Sequence, residues 1–146
     1  MIALLQRASQ ASVTIAAKRV AEMGSGVVAL IGVEREDTPA KADRLLQRIV
    51  NYRMFSDDNG RMNCSVHDVQ GGIILVSQFT LIADTQKGNR PGFSRGASPE
   101  LGQEMFSYMV AQARQQYPFY IGCGEFAADM QVALVNNGPV TFWLQV

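Results

Sequence analysis

The chain has 146 residues, 47% of them hydrophobic and 18% charged. That is a globular composition, long enough to form a single domain (1–146) that buries roughly two-thirds of its unfolded surface. Formal net charge is zero, with 13 Lys and Arg against 13 Asp and Glu, which argues against a protein that grips long stretches of nucleic-acid backbone and allows only local contacts with it.

The first residues, "MIALLQRAS", are apolar but interrupted by Arg7, and they lack a basic n-region or a small-residue cleavage site. Neither a membrane span nor a signal peptide is expected there. The stretch "IALLQRASQASVTI" reads as β, and "GVVALIGV" (26–33) as a buried strand bounded by glycines. Thr38-Pro39 has the form of an N-cap followed by proline at the first helical position, and behind it Ala42, Leu45, Leu46 and Ile49 fall on one helical face. Cys64 and Cys123 match no metal-ligand spacing and read as reduced thiols of a cytoplasmic protein. Asn59-Gly60 and Gly71-Gly72 punctuate the next segment, after which "GIILVSQFTLIA" (72–83) reads throughout as a buried strand. Ser98-Pro99 opens a second helix, with Leu101, Met105, Tyr108 and Met109 on one face. From about Phe126 the chain returns to β. Strands outnumber helices and are joined mostly by turn signals, so the expected fold is α+β, largely antiparallel, with two outer helices.

Near the end, Asn136-Asn137-Gly138-Pro139 separates two β-like runs, Val132 to Val135 and Val140 to Val146. Asn-Gly between apolar runs is a hairpin signal. Pro139 spoils the simple hairpin, because it donates no ladder bond and restricts the residue before it.

Chemistry-bearing side chains are few. His67 is the only histidine, so no multi-histidine metal site exists, and any Ser-His-Asp arrangement must use it; its place between turn signals favours a solvent-facing role. There is no Gly-x-Ser-x-Gly elbow, no phosphate-binding Gly-Lys-Ser/Thr loop, no strand-led Gly-x-Gly-x-x-Gly, and no carboxylate pair singled out by spacing. The loop 84–98 carries Lys87, Arg90 and Arg95 with no acid after Asp84, and reads either as a solvated loop or as a local phosphate-contacting surface. In a continuing strand, Ser77, Phe79 and Leu81 would share one face and Gln78 and Thr80 the other, where the polar pair needs hydrogen-bond partners or a cavity. A nucleophilic Thr80 would need a base, and none is evident.

"SQFTL" at 77–81, "RPGFSRGASP" at 90–99, "GEFAADMQVALVNNGPVTF" at 124–142 and the N-terminal "IALLQRAS" together resemble the D-aminoacyl-tRNA deacylase family, in the family's order and over the whole chain. The Ser-Gln-Phe-Thr and Asn-x-Gly-Pro-x-Thr stretches, taken together, carry the resemblance. Asn137 and Gly92 depart from the common pattern, which more often has aspartate and serine there.

The resemblance implies a barrel-like core and hydrolysis of the ester between a D-amino acid and the terminal ribose of tRNA, with no cofactor and no metal. It also implies that glycine mischarged onto other tRNAs is removed. It implies a homodimer with active sites at the subunit interface, and neither membrane nor DNA as partner. By the same resemblance the Gly138-Pro139 peptide is cis and projects into the partner subunit's site. There it excludes L side chains while leaving the D direction open. The tRNA 2′-hydroxyl assists the attacking water. The backbone around Gln78 and Phe79 holds the oxyanion, and Ser77 and Thr80 line the pocket. Phe126 and Met130 enclose the terminal adenosine, and Arg7 braces the Gly-Pro element. Lys87, Arg90 and Arg95 fit the tRNA backbone. Two other classes remain open at this point, an esterase using Thr80 or Ser77 as nucleophile and a non-catalytic module that binds the tRNA end.

Overall fold

The computed structural model describes residues 1–146. A long first strand, β1 (Ile2–Ile15), is followed by β2 (Lys18–Met23) and β3 (Gly26–Gly32), then by helix α1 (Pro39–Asn51). A small hairpin of β4 (Phe55–Ser56) and β5 (Met62–Cys64) leads to β6 (Gly72–Ser77) and a 3-10 turn over Phe79–Ile82. Helix α2 (Pro99–Gln116), β7 (Ile121–Cys123) and a second long strand, β8 (Gln131–Gln145), complete the chain.

The main sheet runs β2-β1-β3-β6-β7, with β8 on the other edge of β1. It is mixed. β1 is antiparallel to β2, β3 and β8, whereas β3, β6 and β7 run parallel to one another. Parallel neighbours need a crossover, and each crossover here contains one of the helices. The turn signals therefore concealed two helix-bearing crossovers, although two helices do flank a largely antiparallel, nearly closed sheet. Near-closure is visible where the Tyr120 hydroxyl, on the approach to β7, accepts from the Glu22 backbone N–H of β2 at 3.2 Å.

Both helices begin as their caps dictate. Thr38 Oγ1 accepts from Lys41 N–H at 3.4 Å, and Ser98 Oγ from Leu101 N–H at 3.3 Å. Ala42, Leu45, Leu46 and Ile49 of α1 are buried, as are Met105, Phe106, Met109 and Val110 of α2. Leu101 and Tyr108 are only half-buried, and the Tyr108 hydroxyl reaches the Asp43 carboxylate at 3.1 Å, tying α2 to α1. Strand β6 is covered on both faces. Ile73 and Leu75 meet the helices, and Ile74 and Val76 join Val13 and Val28 in a second cluster. Each such side chain contributes about 1.5–3 kcal/mol on burial, so β6 and its carboxyl end are firmly placed. No helix is long and apolar enough to cross a membrane.

Two local expectations fail. The strand ends at Ser77, not Ala83: Gln78 N–H makes the last bond, to the Ile31 carbonyl at 2.7 Å, and the chain then winds into the 3-10 turn. Strict alternation of faces from Ser77 to Leu81 is lost with it. The Asn136–Pro139 stretch makes no hairpin. β8 pairs with β1 on both sides of it, Ala8 opposite Asn136 and Gln6 opposite Thr141, so the residues between bulge from one continuous strand.

Candidate active site

The carboxyl ends of β3 and β6 open into a cavity of about 560 Å³. Its floor is Ile31, Val76, Ser77 and Gln78. Phe79 and Ile82 of the 3-10 turn form one side, the start of α2 at Ser98, Pro99 and Gly102 another, and the loop Phe126–Met130 the lid side. Most of the lining is apolar, as suits a flat organic group held by a few polar atoms.

Ser77, Gln78, Ser98 and Asp129 are the polar lining residues, and directly after Gln78 comes the 3-10 turn. Its first internal bond runs from Leu81 N–H to the Gln78 carbonyl at 3.3 Å. The N–H groups of Phe79 and Thr80 precede that bond at the amino end of the turn, where no carbonyl within it can receive them. Gln78 Nε2 donates to Thr80 Oγ1 at 2.5 Å. An amide is no base, and the one imidazole, exposed His67, packs instead against Tyr117 and Phe119 with ring centroids 6.1 and 5.7 Å away. The Phe79 ring, 64% exposed, lies 5.2 Å from Phe93.

The Gly138-Pro139 peptide is cis, and both residues are exposed. Two side chains hold the bulge. Arg7 Nε donates to the Asn137 carbonyl at 2.9 Å and Nη1 to the Met54 carbonyl at 2.7 Å. The Asn136 side chain accepts from Val140 N–H and donates to Thr141 Oγ1, both at 2.9 Å. Gly138 has φ +138°, and a Cβ there would sit 2.6 Å from Val140 Cγ2.

A protein-family model described as D-Tyr-tRNA(Tyr) deacylase matches residues 4–145. The chain belongs to that family. A protein of Haemophilus influenzae (strain 86-028NP) named D-aminoacyl-tRNA deacylase is 52% identical over 146 residues, covering 100% of both chains. Among solved structures, one named c-Myc DNA Unwinding Element Binding Protein superposes with TM-score 0.95 at 36% identity, covering 100% of this chain and 99% of that one. Another, described as a probable eukaryotic D-amino acid tRNA deacylase, has TM-score 0.84 at 15% identity over 99% of this chain and 98% of that one, and shares the fold.

Of the residues singled out from the sequence, Ser77, Gln78, Phe79, Phe126 and Met130 converge on one cavity. Thr80 does not join them. It lines a neighbouring cavity of about 390 Å³ together with Glu34, Arg95 and Trp143. Gly138 and Pro139 line neither. Lys87, Arg90 and Arg95 are exposed and enter none of the chain's ion pairs. Their loop is pinned at its base by paired backbone bonds between Asp84 and Gly92, at 2.7 and 3.0 Å. Sequence reasoning gave no role to Asn136, Gly102 or the Phe93 ring, although Asn136 and Phe93 stand inside the stretches that carry the family resemblance.

Proposed function

We propose that this protein is a hydrolase that cleaves the ester between a D-amino acid, or a mischarged glycine, and the terminal ribose of tRNA. One water is consumed, and free tRNA and amino acid are released in the cytoplasm. The observation that carries the reading is the convergence of Ser77–Phe79 with Phe126 and Met130 in one cavity, in a chain identical at 52% of positions, end to end, to a protein named for this activity. Phe126 and Met130 enclose the terminal adenosine. The N–H groups at the head of the 3-10 turn receive the oxyanion, acting where charge develops and needing no reorganisation. The neighbouring 2′-hydroxyl helps to activate the water, which suits a cavity without histidine.

The exposed Gly138-Pro139 bulge lies outside the chain's own cavity, so in this reading it serves a second copy. Two copies related by a two-fold axis exchange bulges. The bulge backbone stands where an L side chain would lie, and selection works by exclusion. Glycine has no side chain to exclude and passes. The loop cations meet acceptor-end phosphates.

A D-Tyr-tRNA whose terminal ribose lacks the 2′-hydroxyl, with the ester on the 3′ oxygen, tests the chemistry. Its cleavage is expected to fall by about two orders of magnitude or more while binding persists. Normal cleavage, combined with a dead Thr80→Ala variant, would instead establish a protein nucleophile. Tight binding of D-Tyr-tRNA without release of tyrosine would leave a binding module. Sedimentation of a fully active monomer at micromolar concentration would remove the exchanged bulge.

A further inference from the structure

Phe126 and Met130 come from one loop between β7 and β8, and each rests on a glycine. A Cβ at Gly102 would lie 3.1 Å from Phe126 Cζ and 3.3 Å from Cε2. A Cβ at Gly124 would lie 2.5 Å from Met130 Sδ and 3.4 Å from Cε. Neither glycine is there for its backbone. Gly102 sits inside α2 with its N–H bonded to the Ser98 carbonyl at 2.8 Å, a setting in which glycine is disfavoured relative to alanine. Gly124 is buried, lies outside the left-handed region, and donates to the Leu75 carbonyl at 2.9 Å. What both positions provide is room.

We infer that Gly102 and Gly124 are positioning residues that set the width of the cavity by seating Phe126 and Met130 against α2 and β6. The inference rests on the cavity being the site of the tRNA end. The loop itself has little slack. Ala127 is held at φ +61°, and Ala128 N–H bonds to the Glu125 carbonyl at 3.3 Å. Met130 packs against the cluster that contains Val76, whose Cγ1 would be 3.8 Å from the same Cβ. A methyl group added at Gly124 therefore moves the thioether away from this wall and into the space a nucleobase would fill. At Gly102 the ring has to give by only a few tenths of an ångström, so the effect there is smaller.

The experiment is steady-state deacylation of D-Tyr-tRNA, with thermal melting, for Gly124→Ala, Gly102→Ala, Met130→Ala, Phe126→Ala and the Gly124→Ala/Met130→Ala pair. Gly124→Ala is expected to raise KM about tenfold, the scale of one misplaced methyl group in an apolar pocket, with kcat changed less than about twofold. Shortening Met130 in the same chain should return KM to the value of Met130→Ala alone. Gly102→Ala should raise KM about threefold while the melting temperature stays level or rises, because alanine favours the helix. A structural role cannot move those two readings in opposite directions. If Met130→Ala and Phe126→Ala alter KM but the glycine variants do not, or if Met130→Ala gives no relief, the inference is overturned. If Phe126→Ala and Met130→Ala also leave KM unchanged, it is the placement of the substrate that fails.

Discussion

The floor of the cavity and the Gly138-Pro139 bulge are held in different ways. Ser77 ends, and Gln78 directly follows, a strand whose preceding residues, Gly72 to Val76, are all buried, so packing on both faces fixes them. Gly138 and Pro139 are exposed and have almost no packing. They are held by directed bonds from Arg7 and Asn136, each of which takes two partners. A surface backbone feature thus stays in place without a core when its neighbours are individually bonded. Such a feature should fail abruptly when one bracket goes, whereas the packed floor should lose stability gradually.

The bulge should be the more sensitive of the two. Gly138→Ala forces a Cβ to within 2.6 Å of Val140 Cγ2 and 3.0 Å of Arg7 Nη2 at a φ of +138°. Displacement of the bulge is expected to lower D-Tyr-tRNA deacylation by about 100-fold, with circular dichroism unchanged. Arg7→Lys comes next. A lysine head cannot reach the Asn137 and Met54 carbonyls in two directions at once, so activity should fall about tenfold. Equal activity of Arg7→Lys and the parent chain in the same assay would mean the bracket is dispensable.

Helix starts were legible from sequence because a cap is local: Thr38-Pro39 and Ser98-Pro99 each carry their own bond and their own proline. The end of β6 was not. Phe79, Thr80 and Ile82 are β-favouring residue types, and only the tertiary setting turns this segment into a 3-10 turn. The bulge misled for a related reason. Asn-Gly signals a hairpin when read alone, but β1, more than a hundred residues upstream, pairs on both sides of it. Within the cavity, Ser77 and Phe126 lie too far apart in sequence for spacing to join them. They were placed together through the family resemblance, while Gly102 carried no local mark.

On the packed side of the comparison, Tyr117 offers a finer test. Its hydroxyl donates within a pocket formed by the Gly71 and Val66 carbonyls, at 2.6 and 3.1 Å, just ahead of β6. Tyr117→Phe should cost about 1–2 kcal/mol at neutral pH, read by urea denaturation, with deacylation unchanged. Burial pushes the Tyr117 phenol up to about 12, against about 10 in an unfolded chain. The folded state therefore holds this proton more tightly. The contribution is complete below pH of about 10 and is lost as pH rises through about 12. The parent chain should lose stability across that interval, and Tyr117→Phe should lose less of it.

The smallest effect belongs to the loop cations. Lys87→Ala and Arg90→Ala should each raise KM about two- to threefold for every aminoacyl-tRNA alike. Each should also reduce the salt slope of binding by about 0.7–0.9, measured from 50 to 200 mM salt. A slope unmoved by either would return the loop to plain solvation.

The pairing of β1 with β8 also governs when the molecule is finished. Thr14 lies opposite Gln131 and Ile2 opposite Gln145, so the longest ladder of the sheet closes a loop spanning most of the chain. Such contacts are slow to form, because the entropy of closure is lost before any bond rewards it. On the ribosome, β1 would wait with one edge open while β2 to β7 are made, and its bulge-bearing partner would arrive last. A nascent chain halted before β8 therefore lacks Val132 of the cavity wall and has a strand edge free to pair with the wrong neighbour.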